Sequence, residues 1–91
     1  MELKQTGQFK KDLKRYKHEQ RKLESLKAVL HYLREHGKVP RENRPHLLSG
    51  EYKGCMECHV ENDFLLIWID ESKGIIKLLR LGSHSELFRK Y

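Results

Sequence analysis

The spacing of apolar positions along this 91-residue chain changes character about half-way. In the first part it is helical. Phe9, Leu13 and Tyr16 fall at i, i+4 and i+7, and Leu23, Leu26, Leu30 and Leu33, with Val29 beside them, continue a stripe of helical period. Gly37 is the natural stop of the second helix, and Pro40 lies three residues further on. These segments read as a helical hairpin, preceded by a short strand over 2–6 with Gly7 as its break. From 38 to 50 the Pro- and Arg-containing stretch predicts a loop ending at Gly50. The pattern then becomes strand-like: mixed polarity over 51–60, and apolar runs at 64–69 and 75–81. Turn chemistry at Glu61-Asn62-Asp63 and at Asp70-Glu71-Ser72-Lys73-Gly74 separates them. Three strands with short links predict an antiparallel meander, with 64–69 in the centre and the helices covering one face. The expected fold is α+β, an N-terminal helical hairpin on a small antiparallel sheet in the order β-α-α-β-β-β, as one domain over 1–91.

Composition adds a direction for the partner. Apolar residues make up 37% of the chain and charged residues 35%, yet the apolar ones cluster enough for a folded core. No signal-like apolar stretch follows Met1, and no run approaches the roughly 20 residues of a membrane helix. A cytoplasmic protein with no membrane partner is therefore expected. The net charge of +6 is uneven. Residues 1–45 carry 13 Lys and Arg against 6 Asp and Glu, whereas 46–91 carry 6 against 7. A basic half joined to a near-neutral half suits a polyanion held by one face. The cations concentrate on the hairpin, at Lys10, Lys11, Lys14, Arg15, Lys17, Arg21 and Lys22. Charge alone fits an enzyme acting on nucleic acid, an RNA-binding module, or an interaction protein for an acidic partner chain.

Cys55-Met56-Glu57-Cys58-His59 spells C-x-x-C-H, the attachment pattern of c-type haem. Several features oppose that reading. Haem attachment belongs to exported proteins, and the only methionines are Met1 and Met56, which leaves no downstream axial Met. On a strand, moreover, Cys55 and Cys58 point to opposite faces. One C-x-x-C also supplies only two thiolates where a structural zinc site wants four ligands. No cofactor and no metal are expected, and both cysteines read as small strand residues.

The histidines carry more. His18, His31 and His36 lie in or beside polar helices and are expected to be solvated. His46, His59 and His84 lie at the margins of the predicted strands, where the end of one strand meets the start of the next. His59 and Asp63 flank one hairpin turn and can approach each other. Any one of these histidines reads as an ordinary hydrogen-bonded structural residue, but three at strand margins with an aspartate suggest chemistry. RNA carries its own nucleophile, the 2′-hydroxyl, so cleavage needs a base, an acid for the 5′-oxygen and a cation for the phosphorane. Histidine, with an ordinary pKa near 6.5, suits both proton transfers. Arg80 could brace the phosphate.

Three longer motifs then resemble a known family. His46-Leu47-Leu48-Ser49-Gly50-Glu51-Tyr52-Lys53-Gly54, His59-Val60-Glu61-Asn62-Asp63-Phe64-Leu65-Leu66-Ile67 and Arg80-Leu81-Gly82-Ser83-His84-Ser85-Glu86-Leu87-Phe88 are similar to the YafQ branch of the RelE superfamily of toxins. The third is the most specific, and the resemblance covers essentially the whole chain. It implies a RelE-like fold and the toxin of a type II toxin–antitoxin pair, a metal-independent endoribonuclease that cuts mRNA in the ribosomal A site. Its partners would be mRNA, the ribosome and a cognate antitoxin, a heterotetramer with the antitoxin being one assembly this allows. Carried over by motif, His46, His59, Asp63 and His84 form the catalytic group, with Arg80 and Phe88 assisting. His84 is the candidate acid, and Phe88 would stack on or position a base. Lys10, Lys11, Lys14, Arg15 and Lys53 are expected to contact RNA. The chain departs from the family pattern at Tyr52 (Trp in the family), Asn62 (Pro), Phe64 (Trp) and Met56 (often Arg).

Overall fold

In the computed structural model, which describes residues 1–88, strand β1 (Glu2–Gln5) ends at Thr6. The Thr6 hydroxyl oxygen accepts the Phe9 N–H at 3.0 Å and so caps helix α1 (Gly7–Lys14). α1 stops short of the apolar period that predicted it. Tyr16 lies in the following turn and is still buried. Helix α2 (Gln20–His36) ends where expected, at Gly37, with φ 71° and its N–H donating to the Leu33 carbonyl at 2.8 Å. Only glycine takes that left-handed conformation without strain, and a Cβ there would also press on the Met1 methyl at 3.2 Å.

The remaining strands are β2 (His46–Leu47), β3 (Met56–Glu61), β4 (Phe64–Ser72) and β5 (Ile75–Gly82), followed by a short helix α3 (His84–Leu87). The sheet order is β1-β5-β4-β3-β2, with β4 in the centre as the run 64–69 predicts. β3, β4 and β5 form the expected antiparallel meander. Three features differ from expectation. β1 pairs parallel with β5, Glu2 opposite Ile75 through Gln5 opposite Leu78, so the sheet is mixed and not wholly antiparallel. The stretch read as loop contains β2, paired with β3, and much of 51–55 is 3-10 turn and connection rather than strand. Finally, α3 follows β5 where only a loop was foreseen. The two strands depend on pairing with another part of the chain and α3 on a local Ser83–Glu86 cap, and apolar period reports neither.

The core lies on both faces of β4. Phe64, Leu66 and Trp68 face α1 and α2, where Phe9, Leu26, Val29 and Leu33 meet them. Leu65 and Ile67 face the other way, against Cys55 and Leu87, with Leu48, Tyr52 and Phe88 packed around them. The strand period of two persists inside a continuous apolar run because both faces are covered. Cys58 joins the first cluster and Cys55 the second, so the two thiols do point to opposite faces. Burial raises both thiol pKa values, that of Cys58 to about 12. Among the described residues no helix is long and apolar enough to cross a membrane.

Candidate active site

The turn that carries His84 is held from several sides. Ser83 caps α3: its hydroxyl oxygen accepts the Glu86 N–H at 3.2 Å, while Glu86 Oε1 accepts the Ser83 N–H at 2.8 Å. The Tyr16 hydroxyl donates to the same Oε1, and Arg15 Nη1 lies 3.5 Å from Oε2. Burial, and then this bond to Glu86, push the Tyr16 phenol well above its ordinary pKa. A Cβ at residue 82 would fall 2.6 Å from Glu86 Oε1, so the carboxylate reaches the turn only because Gly82 has none. Glu86 and Tyr16 belong to the site's framework, yet no spacing in the sequence connects them.

Asp63 approaches His84 from the β3–β4 turn. An irregular register between His59 and Glu61 shifts the end of β3, and burial of Phe64 anchors the start of β4. Asp63 Oδ1 accepts both the His84 backbone N–H at 2.9 Å and its Nδ1–H at 2.8 Å. The backbone bond first, and then the ring bond, hold the Asp63 carboxyl below its ordinary pKa. With Nδ1 committed as donor, Nε2 of the half-exposed ring is left for a substrate.

His59 lies beside this pair, its ring centroid 5.9 Å from that of His84. Its Nδ1 sits 3.3 Å from the Asn62 carbonyl and 3.4 Å from Arg44 Nη2. The first contact wants a proton on Nδ1 and the second wants it absent, so this environment suits either tautomer. His46 is held differently. Its Nδ1 lies 3.0 Å from the Arg44 carbonyl, and its Nε2 lies 3.1 Å from Oε1 of the buried Glu57. Oε2 of Glu57 finds no partner among the described residues. Arg44 thus touches both histidines, from a left-handed backbone at φ 50° that costs a non-glycine residue about 1–3 kcal/mol. Neither Arg44 nor Glu57 stands out in the sequence. Their signal is faint: a cation two residues before a candidate histidine, and a lone acid opposite it on β3. Met56 packs against the helix-side core, while Arg44 brings a guanidinium to His59 from the turn before β2.

Phe88 packs edge-on against Tyr52 (centroids 5.6 Å apart) and tilted against His84 (6.1 Å). Arg80, the residue expected to brace the phosphate, is also engaged within the fold. Its Nε and Nη2 lie 2.8 and 3.4 Å from the carboxylate of buried Asp12, and its Nη1 donates to the Tyr52 hydroxyl at 3.0 Å. With every guanidinium nitrogen engaged, Arg80 braces α1, β5 and Tyr52. Burial works to raise the Asp12 pKa, but the bonds from Arg80, the Leu81 amide and Gln8 hold it below its ordinary value.

The basic face divides in two. Arg15, Arg21 and Lys22 are drawn to Glu86, Glu61 and Glu19. Lys10, Lys11, Lys14 and Lys17 are exposed, and no carboxylate among the described residues lies within ion-pairing distance of them. Lys53 is exposed at the end of the 3-10 turn, at Gly50–Tyr52. His18, His31 and His36 are exposed, as expected.

The model of the family described as "Bacterial toxin of type II toxin-antitoxin system, YafQ" matches residues 1–89. The chain belongs to this family. It is similar to the mRNA interferase toxin YafQ of Escherichia coli K12, with 31% identity over 84 residues, covering 91% of this chain and 90% of the relative. Two solved structures share its fold throughout. One is a copper-bound mutant toxin from Helicobacter pylori, 32% identical, with a TM-score of 0.85 over 97% of this chain and 99% of the other. The other is YafQ in the E. coli DinJ–YafQ complex, 28% identical, with a TM-score of 0.83 over 96% and 97%. The RelE-like arrangement expected from the three motifs is thus the observed one.

Proposed function

We propose that this YafQ-family toxin is an endoribonuclease that cuts translated mRNA in the ribosomal A site by side-chain acid–base catalysis. One observation carries the reading: Asp63 fixes His84 through Nδ1 and leaves Nε2 open, with His59 one ring away. In the reaction His59 takes the proton of the 2′-hydroxyl, whose oxygen attacks the adjacent phosphorus. The bond from phosphorus to the 5′-oxygen breaks, and His84 Nε2–H protonates that oxygen. The products are a 2′,3′-cyclic phosphate and a free 5′-hydroxyl. The Arg44 guanidinium, beside His59, would meet the phosphate charge, with His46 holding the Arg44 backbone from Glu57 and Arg80 keeping the wall rigid. Phe88 offers an aromatic surface for an unstacked base. All proton transfers use side chains, so activity should survive a chelator once ribosome integrity is controlled for.

Lys10, Lys11, Lys14 and Lys17 would meet ribosomal RNA, and a DinJ-like antitoxin would hold the toxin inactive in the cytoplasm. The deciding experiment is His84→Ala, with His18→Ala in parallel. Loss of the acid should lower cleavage of translated mRNA by about 10²–10⁴-fold and abolish growth arrest on induction. The melting temperature should stay near that of the unsubstituted protein, because the ring is exposed. Full toxicity in a folded His84→Ala protein would overturn the assignment.

A further inference from the structure

Tyr16 is tied to both halves of the Asp63–His84 pair through their neighbours in the chain. Its ring packs against that of Phe64, with centroids 4.6 Å apart, and Phe64 directly follows Asp63. Its hydroxyl donates to Oε1 of Glu86, two residues beyond His84. We propose that Tyr16 and Glu86 are positioning residues for RNA cleavage, a strut that refers Asp63 and His84 to one fixed point and keeps His84 in place beside His59. The proposal rests on the ribonuclease reading above and adds to it what holds the acid in position.

Exposure creates the need for a strut. Asp63 and His84 are each more than half exposed on surface turns. Their mutual bond fixes the ring against the carboxylate, yet it fixes neither turn against the body of the protein. Asp63 gains that reference through Phe64, which is fully buried at the start of β4. His84 opens α3, whose four residues bury only Leu87. One apolar anchor sets the depth of that turn and leaves its rotation about the anchor unconstrained. The Glu86 bond to Tyr16 supplies the second point. A shift of about 1 Å in a catalytic group can cost about 10²-fold in rate, so the second point matters to the chemistry.

Tyr16 is well placed to be the fixed point. It is buried in the turn between α1 and α2, where its N–H donates to the Leu13 carbonyl at 3.0 Å and its carbonyl accepts the Glu19 N–H at 2.9 Å. Lys22 Nζ lies over its ring and that of Phe64, 5.3 and 5.6 Å from their centroids. Protonation keeps the bond in being. Burial works to raise the Glu86 pKa, but the bonds from Tyr16 and the Ser83 amide hold it below its ordinary value, while the Tyr16 phenol is pushed well above its own. The donor therefore keeps its proton and the acceptor its charge through the range in which histidines work. Glu86 is a third exposed, so water can replace the phenol and the bond adds little to folding. Its worth lies in where it holds the turn.

The test is single-turnover cleavage of mRNA on programmed ribosomes, with toxin concentration varied to separate the rate at saturation from affinity. Tyr16→Phe removes the hydroxyl and keeps the ring on Phe64. Its rate at saturation should fall by about 10- to 100-fold with affinity unchanged. Nitrogen NMR of the His84 ring should change from one Nδ1-protonated tautomer to a mixture, which a bond serving the fold alone would not cause. In a His84→Ala background Tyr16→Phe should cost nothing further, because its effect runs through His84. Glu86→Ala breaks the same bond from its more exposed end and should lose as much. Glu86→Gln, which keeps an acceptor oxygen, should recover most of that loss. Tyr32→Phe, at an exposed tyrosine of α2, should match the intact toxin. An unchanged rate and tautomer in folded Tyr16→Phe or Glu86→Ala would overturn the strut, as would losses that multiply in the double variant. Cleavage that persists in His84→Ala would instead overturn the catalytic reading, so the two failures are distinguishable.

Discussion

Asp12 and Asp63 each hold a basic side chain at 2.8 Å, Asp12 with Arg80 and Asp63 with His84. The contacts match in length and differ in surroundings. Asp12 is wholly buried and its partner largely so, whereas Asp63 and His84 are 63% and 57% exposed at the side chain. Water screens the second pair, so it adds little to folding and leaves a ring nitrogen open to a substrate. In the first pair every guanidinium nitrogen and both carboxylate oxygens already have a partner inside the fold. Its value is mechanical: with the Leu81 amide at 2.9 Å it ties α1 to β5, immediately before the glycine where the His84 turn begins. A short carboxylate contact therefore says nothing about function until its solvation is known.

Substitutions at the two sites should separate these roles. Asp63→Ala should lower cleavage by about 10²-fold, because His84 loses its orienting partner, with little change in melting temperature. Equal losses of stability at the two positions would break the contrast. Asp12→Ala should do the reverse and destabilise the fold by about 3–5 kcal/mol, since Arg80 and the Leu81 amide lose their shared acceptor in a buried place. Urea unfolding would read this directly.

The basic face sharpens the same point, because there too the engaged cations differ from the unengaged ones. Changing Lys10, Lys11, Lys14 and Lys17 together to Gln should flatten the salt dependence of ribosome binding, by about 0.7–0.9 in log–log slope for each phosphate no longer neutralised. Changing Arg15, Arg21 and Lys22 should flatten it less, since carboxylates already hold them. An unchanged slope for the four lysines would mean that this face is only solvated or serves the antitoxin.

The smallest effect expected is one of pH. Asp12 titrates below its ordinary value in the fold, so its ionised form is the one that stabilises. That contribution is complete above about pH 4, the ordinary aspartate value, and is lost as pH falls through the lowered folded value. The melting temperature of the unsubstituted protein should drop on acidification below about pH 4, and Asp12→Asn should show a shallower drop.

Much of this molecule follows from local pattern. The helical hairpin, its stop at Gly37, the central place of 64–69 and the opposed faces of Cys55 and Cys58 all come from side-chain period and backbone preference, which act over a few residues. The motifs His59–Ile67 and Arg80–Phe88 likewise carried the resemblance to the family and pointed to Asp63 and His84. What the pattern left open depends on partners far apart in the chain. Parallel pairing of β1 with β5 joins residues seventy or more positions apart, and so does the Tyr16 bond to Glu86. The same holds for Asp12, which the sequence offers as one more polar residue on a charged helix and the fold buries against Arg80. Periodicity ranks positions by how much water they see, but which carboxylate meets which cation, and whether water reaches the pair, is decided only when the sheet closes beneath the helices.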